Sequence, residues 1–119
     1  MPQDLNSGDF LVFQLEAGFA LLRVLGRDDG DQGTTWHVAA YSEFYPDVDS
    51  AEAATAVPES LSLSARHLAL TDRAFASTQV ARLANTGLTD DELQPLNEWR
   101  SAPDAVVHDR SIRLLLGLR

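Results

Sequence analysis

Two short apolar segments separated by a turn constrain the fold of this chain more than any other feature. Residues 9–15 and 19–25 are both rich in aromatic and branched side chains, and residues 16–18 have the composition of a turn. This pattern predicts a β-hairpin. Because apolar side chains alternate onto both faces of each predicted strand, we expect the hairpin to be central in a sheet and covered on both sides.

The segments that follow predict more strands. Residues 26–33 are polar and glycine-rich, which predicts an exposed loop, and residues 34–41 predict a third strand. Residues 50–55 fit either a short helix, which we favour, or a loop. The apolar alternation over residues 61–70 changes phase midway, which is typical of a strand with a bulge.

The next segment is ambiguous, and a helix signal follows it. Residues 72–85 fit either a helix or two short strands, and we favour the strands. Thr89 and Glu92 have the spacing of a capping box, which predicts that a helix begins there. Pro95 falls in the second turn of that helix, so we expect the helix to be kinked or short.

The chain ends with a predicted strand over residues 105–108 and a closing helix over residues 109–116, which Gly117 terminates. Strands come first and helices last. We therefore expect one α+β domain over residues 1–119, with a curved antiparallel sheet and C-terminal helical elements packed on it. An SH3-like arrangement is a candidate for the sheet.

The composition excludes several classes of chemistry. All nine basic residues are arginine, and the chain has no cysteine. Lysine-dependent catalysis, thiol nucleophiles, disulfides, zinc–thiolate sites and iron–sulfur clusters are therefore excluded. We expect no cofactor.

The net charge restricts the partners. The formal charge is −9, and the arginines form no basic stripe, so we expect no nucleic-acid partner. No apolar run approaches the roughly 20 residues of a membrane span, and the N-terminus lacks a signal-peptide pattern. We expect no membrane partner and a cytoplasmic location.

Histidines and clustered acids are the residue types most able to bind ions or transfer protons. The spacing of His37, His67 and His108 matches no metal-binding or catalytic signature, so we predict no catalytic residue and no metal site.

Asp28, Asp29 and Asp31 crowd carboxylates into a glycine-containing segment without the complete calcium-loop pattern. A solvated hairpin loop is the favoured interpretation, and ion binding stays open.

The best candidate for a binding surface combines aromatic and acidic side chains. Aromatic residues bordered by acids are typical of hot spots for a basic partner. The candidate binding residues are Trp36, Tyr41, Glu43, Phe44, Tyr45, Asp47 and Asp49.

Several short motifs match a known family. They are Gly8-Asp9-Phe10, Gly18, Arg23-Val24-Leu25-Gly26, Trp36-His37-Val38 and Tyr41, with fainter matches at residues 67–70, 72–75, 88–89, 92–93 and Trp99. Through these motifs the chain resembles the immunity protein 26 family of polymorphic toxin systems. The resemblance implies a mostly β domain that binds and blocks a secreted toxin without chemistry of its own.

Two functional hypotheses follow. The first is a non-enzymatic protein-binding module, such as an immunity-type inhibitor, that binds a basic partner through its acidic and aromatic surface. The alternative is a small ligand-binding protein or enzyme with a pocket beside the sheet that uses His37 or His67. A concave pocket holding a histidine near a carboxylate favours the second, and a convex acidic face favours the first. A subunit that only self-associates is a third possibility, and the oligomeric state stays open.

Overall fold

A computed structural model of the chain, which describes residues 5–31 and 33–118, contains a five-stranded antiparallel sheet. Its strands are β1 (Asp9–Leu15), β2 (Gly18–Gly30), β3 (Gly33–Tyr45), β4 (Leu63–Thr71) and β5 (Ala81–Asn85). Their order across the sheet is β4-β3-β2-β1-β5. The predicted α+β class is confirmed. The sheet is open, with β4 and β5 at its edges, and is not closed into an SH3-like barrel.

Short helices pack against the sheet. They are α1 (Val48–Thr55), α2 (Asp72–Ala76), α3 (Asp90–Ser101) and α4 (Ile112–Leu116), together with a 3₁₀ helix over Pro58–Ser60. In the part of the chain that the structure describes, no helix has the length and apolar character needed to cross a membrane.

The predicted hairpin forms and lies inside the sheet. Leu11 and Phe13 of β1 pack into a core on one face, whereas Phe10 and Val12 pack into a second core on the other face. The first core is covered by α2 and α4, and the second by α1. The expectation that the hairpin is covered on both sides is therefore confirmed.

The expected loop over residues 26–33 is wrong, because most of this segment extends the β2–β3 hairpin. Arg27 pairs with Trp36, Asp28 with Thr35, and Asp29 with Thr34. The backbone ladder continues from the buried part of the hairpin into this polar segment, and its local composition gives no sign of that pairing.

The predicted bulge in the fourth strand is confirmed. Val38 pairs with Leu68 and Ala40 with Ala65, so β4 carries one extra residue between these pairs. Ala65 and Leu68 consequently face the same core although they are three residues apart.

Residues 72–85 contain both a helix and a strand. The expected strand over residues 75–78 is wrong, because α2 begins after Thr71, whose hydroxyl accepts a hydrogen bond from the Ala74 amide. The expected strand over residues 80–84 is confirmed in β5.

The helix predictions for the rest of the chain are mostly confirmed. A short helix forms over residues 50–55 within α1, and both hydrogen bonds of the Thr89–Glu92 capping box are present. Of the two alternatives expected from Pro95, a short helix is wrong, because α3 runs for 12 residues, and a kink stays a prediction.

The predicted closing helix forms as α4 and ends at Gly117, which has φ +67°. The expected strand over residues 105–108 is reduced to one bridge between His108 and Leu70.

Gly8 lies where the chain enters β1 and crosses the end of β5. Its φ is +92°, and a Cβ atom added here would lie 2.4 Å from the carbonyl oxygen of Thr86. The Gly8 amide donates to Val24, and its carbonyl accepts from the Thr86 amide. Both the backbone conformation and the close approach therefore require glycine.

We predict that Gly8→Ala lowers the free energy of unfolding by about 2 kcal/mol or more, because it combines a strained φ with a steric clash. Gly87→Ala is a matched control, since an added Cβ at Gly87 meets no atom within 4 Å. Urea denaturation monitored by tryptophan fluorescence measures both. Equal losses in the two variants would contradict this account.

Candidate functional site

A buried arginine in β2 holds several parts of the fold together. Arg23 is only 1% exposed, and its guanidinium group has an acceptor for each of its five N–H donors. The acceptors are Gly8 O at 2.9 Å, Glu92 Oε2 at 3.0 Å, Tyr41 Oη at 3.5 Å, Thr86 O at 2.6 Å and Gly87 O at 3.4 Å.

These contacts make Arg23 a structural residue. The ion pair with Glu92 compensates its charge, and the guanidinium carbon lies 4.1 Å from the centre of the Phe10 ring. Because its donors are already used, Arg23 has none left for a ligand. Its role is to fix the start of α3 and the preceding loop against the sheet.

A cleft of about 480 Å³ lies beside this arginine. Leu25, Ala39, Tyr41 and Leu63 form a mostly apolar floor on the sheet. Pro58 and Glu59 of the 3₁₀ helix line one side, and Asp91 and Pro95 of α3 line the other. The cleft is therefore a concave, apolar site bounded by two helical elements.

Three charged residues that line the cleft form no ion pair within the described ranges. Arg66 of β4, Glu59 and Asp91 all line the cleft, and none of them forms an ion pair with a residue in the described ranges. Their charges are thus available to a ligand, unlike those of the paired Arg23 and Glu92.

Two histidines and an aspartate form a hydrogen-bonded chain under the end of α3. His37 Nε2 lies 3.0 Å from Asp28 Oδ2, and His37 Nδ1 lies 2.9 Å from His67 Nε2. The Trp99 ring packs edge-on against both histidines, with its centre 4.7 Å from that of His37 and 6.0 Å from that of His67. Arg100 holds Asp28 from outside through two hydrogen bonds.

The surrounding groups favour one protonation state of Asp28, His37 and His67 near neutral pH. The hydrogen bond from Arg100, followed by that from His37, lowers the pKa of Asp28, so its carboxylate is ionised. Burial lowers the pKa of His37, although Asp28 opposes this. Burial also lowers the pKa of His67 to about 4, and the charges of His37, Arg100 and His108 act in the same direction.

The residues predicted as a binding surface lie in different environments. Trp36 is buried on one face of the sheet and stacks on Phe75, whereas Tyr41 is buried on the opposite face against Phe10. The other five lie along the end of β3 and the start of α1: Glu43, Phe44, Tyr45, Asp47 and Asp49.

Within this stretch, Phe44 is the most exposed large apolar side chain. Phe44 is 55% exposed, while Glu43 accepts from the Ser62 amide and Asp47 caps α1 through the Ser50 amide. Phe44 also lines a shallow groove of about 450 Å³ with Leu15 and Leu118. Glu16 lines the same groove.

Two of the three aspartates of the glycine-rich segment, Asp28 and Asp29, interact with protein groups. Asp28 contacts His37 and Arg100, and Asp29 contacts Arg27 and Thr34. No cluster of three or more potential metal ligands occurs within residues 5–31 and 33–118.

A concave pocket that holds a histidine near a carboxylate is the feature that distinguishes the second hypothesis from the first. The structure provides the histidine–carboxylate pair in His37 and Asp28, and it provides the cleft. The histidines themselves do not line the cleft, although Arg66, which precedes His67 on β4, does. Sequence analysis missed Arg23, and its only signal was a charged residue within an apolar strand.

Comparison with known proteins gives no relative. No protein-family model matches the chain, and no significant match was found among curated proteins or solved structures.

We predict that the His67→Asn variant loses less stability on acidification than the wild-type protein. Unfolded His67 binds a proton near pH 6.5, but folded His67 binds it only near pH 4, so falling pH favours the unfolded state within this window. Because solvent reaches part of the His67 ring, the difference in unfolding free energy should change by roughly 1–2 kcal/mol between pH 7 and pH 4. Urea denaturation at several pH values measures it, and parallel curves would contradict the assignment.

Proposed function

We propose that the protein binds a small organic molecule in the cleft between the sheet and α3. The volume of the cleft is the observation that carries this proposal, because about 480 Å³ lies within the range of roughly 300–1,000 Å³ typical of small-molecule sites. The apolar floor and the few charged groups at its sides also fit such a site.

The Arg23 contacts support a cleft that exists before the ligand binds. They connect β2, Tyr41 of β3, the loop before α3 and Glu92 of α3, which together surround one end of the cleft. A site held in place in this way loses little conformational entropy on binding.

The charges favour a ligand with a positive group on an apolar body. Glu59 and Asp91 offer two unpaired carboxylates, whereas Arg66 is the single unpaired cation among the lining residues that the structure describes. The formal charge of −9 adds a field that attracts cations. An amphipathic amine is therefore the ligand class that we expect.

We predict that phenylpropylammonium binds more tightly than phenylpropionate, a probe of similar size and opposite charge. Arg66→Glu should strengthen ammonium binding by about threefold to fivefold and weaken carboxylate binding, because it adds a negative charge at the cleft. Titration calorimetry at about 0.15 M salt measures both affinities.

Arg82→Glu is the matched control, because Arg82 is exposed on β5 and does not line the cleft. It should change either affinity by less than about twofold, because Arg82 does not contact the cleft and charges beyond the Debye length of about 8 Å are screened at this salt concentration. Equal effects of the two reversals would show binding to the general surface charge, and no binding of either probe would overturn the proposed ligand class.

A second candidate is the protein-binding module implied by the resemblance to immunity proteins, acting in the cytoplasm. The exposure of Phe44 favours it, because an exposed aromatic side chain beside a groove can anchor a partner. Glu16 and the exposed Asp47 and Asp49 place negative charge around this anchor. A basic partner with an apolar anchoring residue is the complementary chemistry.

For this candidate we predict that Phe44→Ser abolishes capture of a basic protein from a native lysate. Val106→Ser is the matched control, because Val106 is 60% exposed and lies outside the Phe44 groove. A stoichiometric basic protein should bind the wild-type and control baits and be released by high salt. Capture that Phe44→Ser leaves unchanged would remove this surface from consideration.

A further inference from the structure

We propose that the C-terminal end of α3 is an acid-sensitive latch, which opens when both His37 and His67 bind a proton. The latch consists of residues 97–101 of α3 and the following segment, residues 102–107. This inference goes beyond the proposed function and does not depend on a ligand in the cleft.

The latch packs on the sheet through one side chain. After the buried Leu96, every residue up to position 107 is exposed except Trp99. The Trp99 ring packs edge-on against the rings of His37 and His67, and its Nε1 donates to the Val106 carbonyl at 2.8 Å. The packing of the latch therefore depends on the two histidines beneath Trp99.

The second anchor of the latch is an exposed ion pair. Arg100 Nη2 lies 2.6 Å from Asp28 Oδ1, and the two side chains are 43% and 39% exposed. Ion pairs with this exposure contribute little to stability, because solvent screens them. The latch consequently has no strong attachment besides the contact of Trp99 with the histidines.

The first part of α3 is attached independently of the latch. Glu92 pairs with the buried Arg23, and Leu96 packs into a core with Leu25. Pro95 lies between Glu92 and the latch, and it removes one helical hydrogen bond because it has no amide hydrogen. The latch can therefore open while the beginning of α3 stays on the sheet.

The contact between the two histidines limits how many protons the closed latch can hold. His37 Nδ1 lies 2.9 Å from His67 Nε2, so one of these nitrogens carries the hydrogen and the other the lone pair. With one added proton, the charged ring still donates to the neutral ring. With two, both facing nitrogens carry hydrogens and both rings are positive, so the contact becomes repulsive. The second proton is therefore the one that opens the latch.

The surrounding groups compensate only one positive charge. Besides each other, the titratable and charged groups near the two rings are Asp28 of β2, Arg100 of α3, His108 after α3 and the preceding Arg66 of β4. Asp28 is the one anion among them, and it already binds Arg100 and His37 Nε2. A doubly protonated pair thus lacks a second negative charge.

The direction of the pH dependence follows from burial. Burial lowers the pKa of both rings, to about 4 for His67, although Asp28 opposes this at His37. In the open latch both rings face solvent, where the pKa of histidine is about 6.5. The open state therefore binds almost two more protons than the closed state near pH 5, and falling pH favours opening.

Amide hydrogen exchange of the wild-type protein tests the latch directly. Between pH 6 and pH 5, the protection factors of the Trp99, Arg100 and Ser101 amides should fall roughly 20- to 60-fold, as expected for almost two protons. The Leu11 and Leu22 amides in the central strands report global unfolding and should stay much better protected. A fall below about tenfold would contradict two-proton opening, and equal protection at Leu11 would show that no separate latch exists.

His67→Gln removes one titrating group and keeps the hydrogen bond. A glutamine amide can donate to neutral His37 and, after rotation, accept from protonated His37. Only one proton then drives opening, so the protection factors should fall at most about eightfold over the same pH range.

His108→Gln is the matched control. The His108 side chain forms no hydrogen bond within the described ranges, and its bridge to Leu70 uses backbone groups. This variant should keep the wild-type fall in protection. A wild-type fall in His67→Gln, or an equal reduction in both variants, would overturn the proposal.

Discussion

The buried guanidinium of Arg23 is the interaction on which the rest of this structure depends. It donates to the backbone carbonyl of Gly8 and to those of Thr86 and Gly87, almost 80 residues further along the chain, and its charge is compensated by Glu92. Loss of this group would leave several backbone carbonyls and the half-buried Glu92 carboxylate without a donor, which is strongly destabilising in a protein interior. Lysine lacks the planar five-donor geometry and cannot replace it.

The same interaction connects the fold to the site. Glu92 lies in the first turn of α3, so its pairing with Arg23 fixes the beginning of this helix over the sheet. The cleft lies below that part of the helix, and Trp99 and Arg100 near the other end cover the histidine pair and hold Asp28. One helix, capped by Thr89 and anchored by Glu92, therefore contacts both the cleft and the histidine pair.

Local sequence signals predicted the local parts of the fold. The β1–β2 hairpin, the capping box and the bulge between Ala65 and Leu68 each depend on neighbouring residues and were confirmed. The extension of the β2–β3 hairpin depends on cross-strand pairing, which composition does not show. The site depends on still longer distances, because Asp28, His37 and His67 meet only when three strands align in register. The positions of these residues along a single sequence do not show which of them meet across the sheet.

Chemical-shift mapping with phenylpropylammonium tests the central claim most directly. The account predicts that titration of the ¹⁵N-labelled protein shifts amide resonances around the cleft, including those of Ala39, Tyr41, Arg66 and Asp91, and leaves Phe44 unaffected. Shifts centred on Phe44, or no localised shifts at saturating probe, would contradict the assignment of this cleft as the functional site.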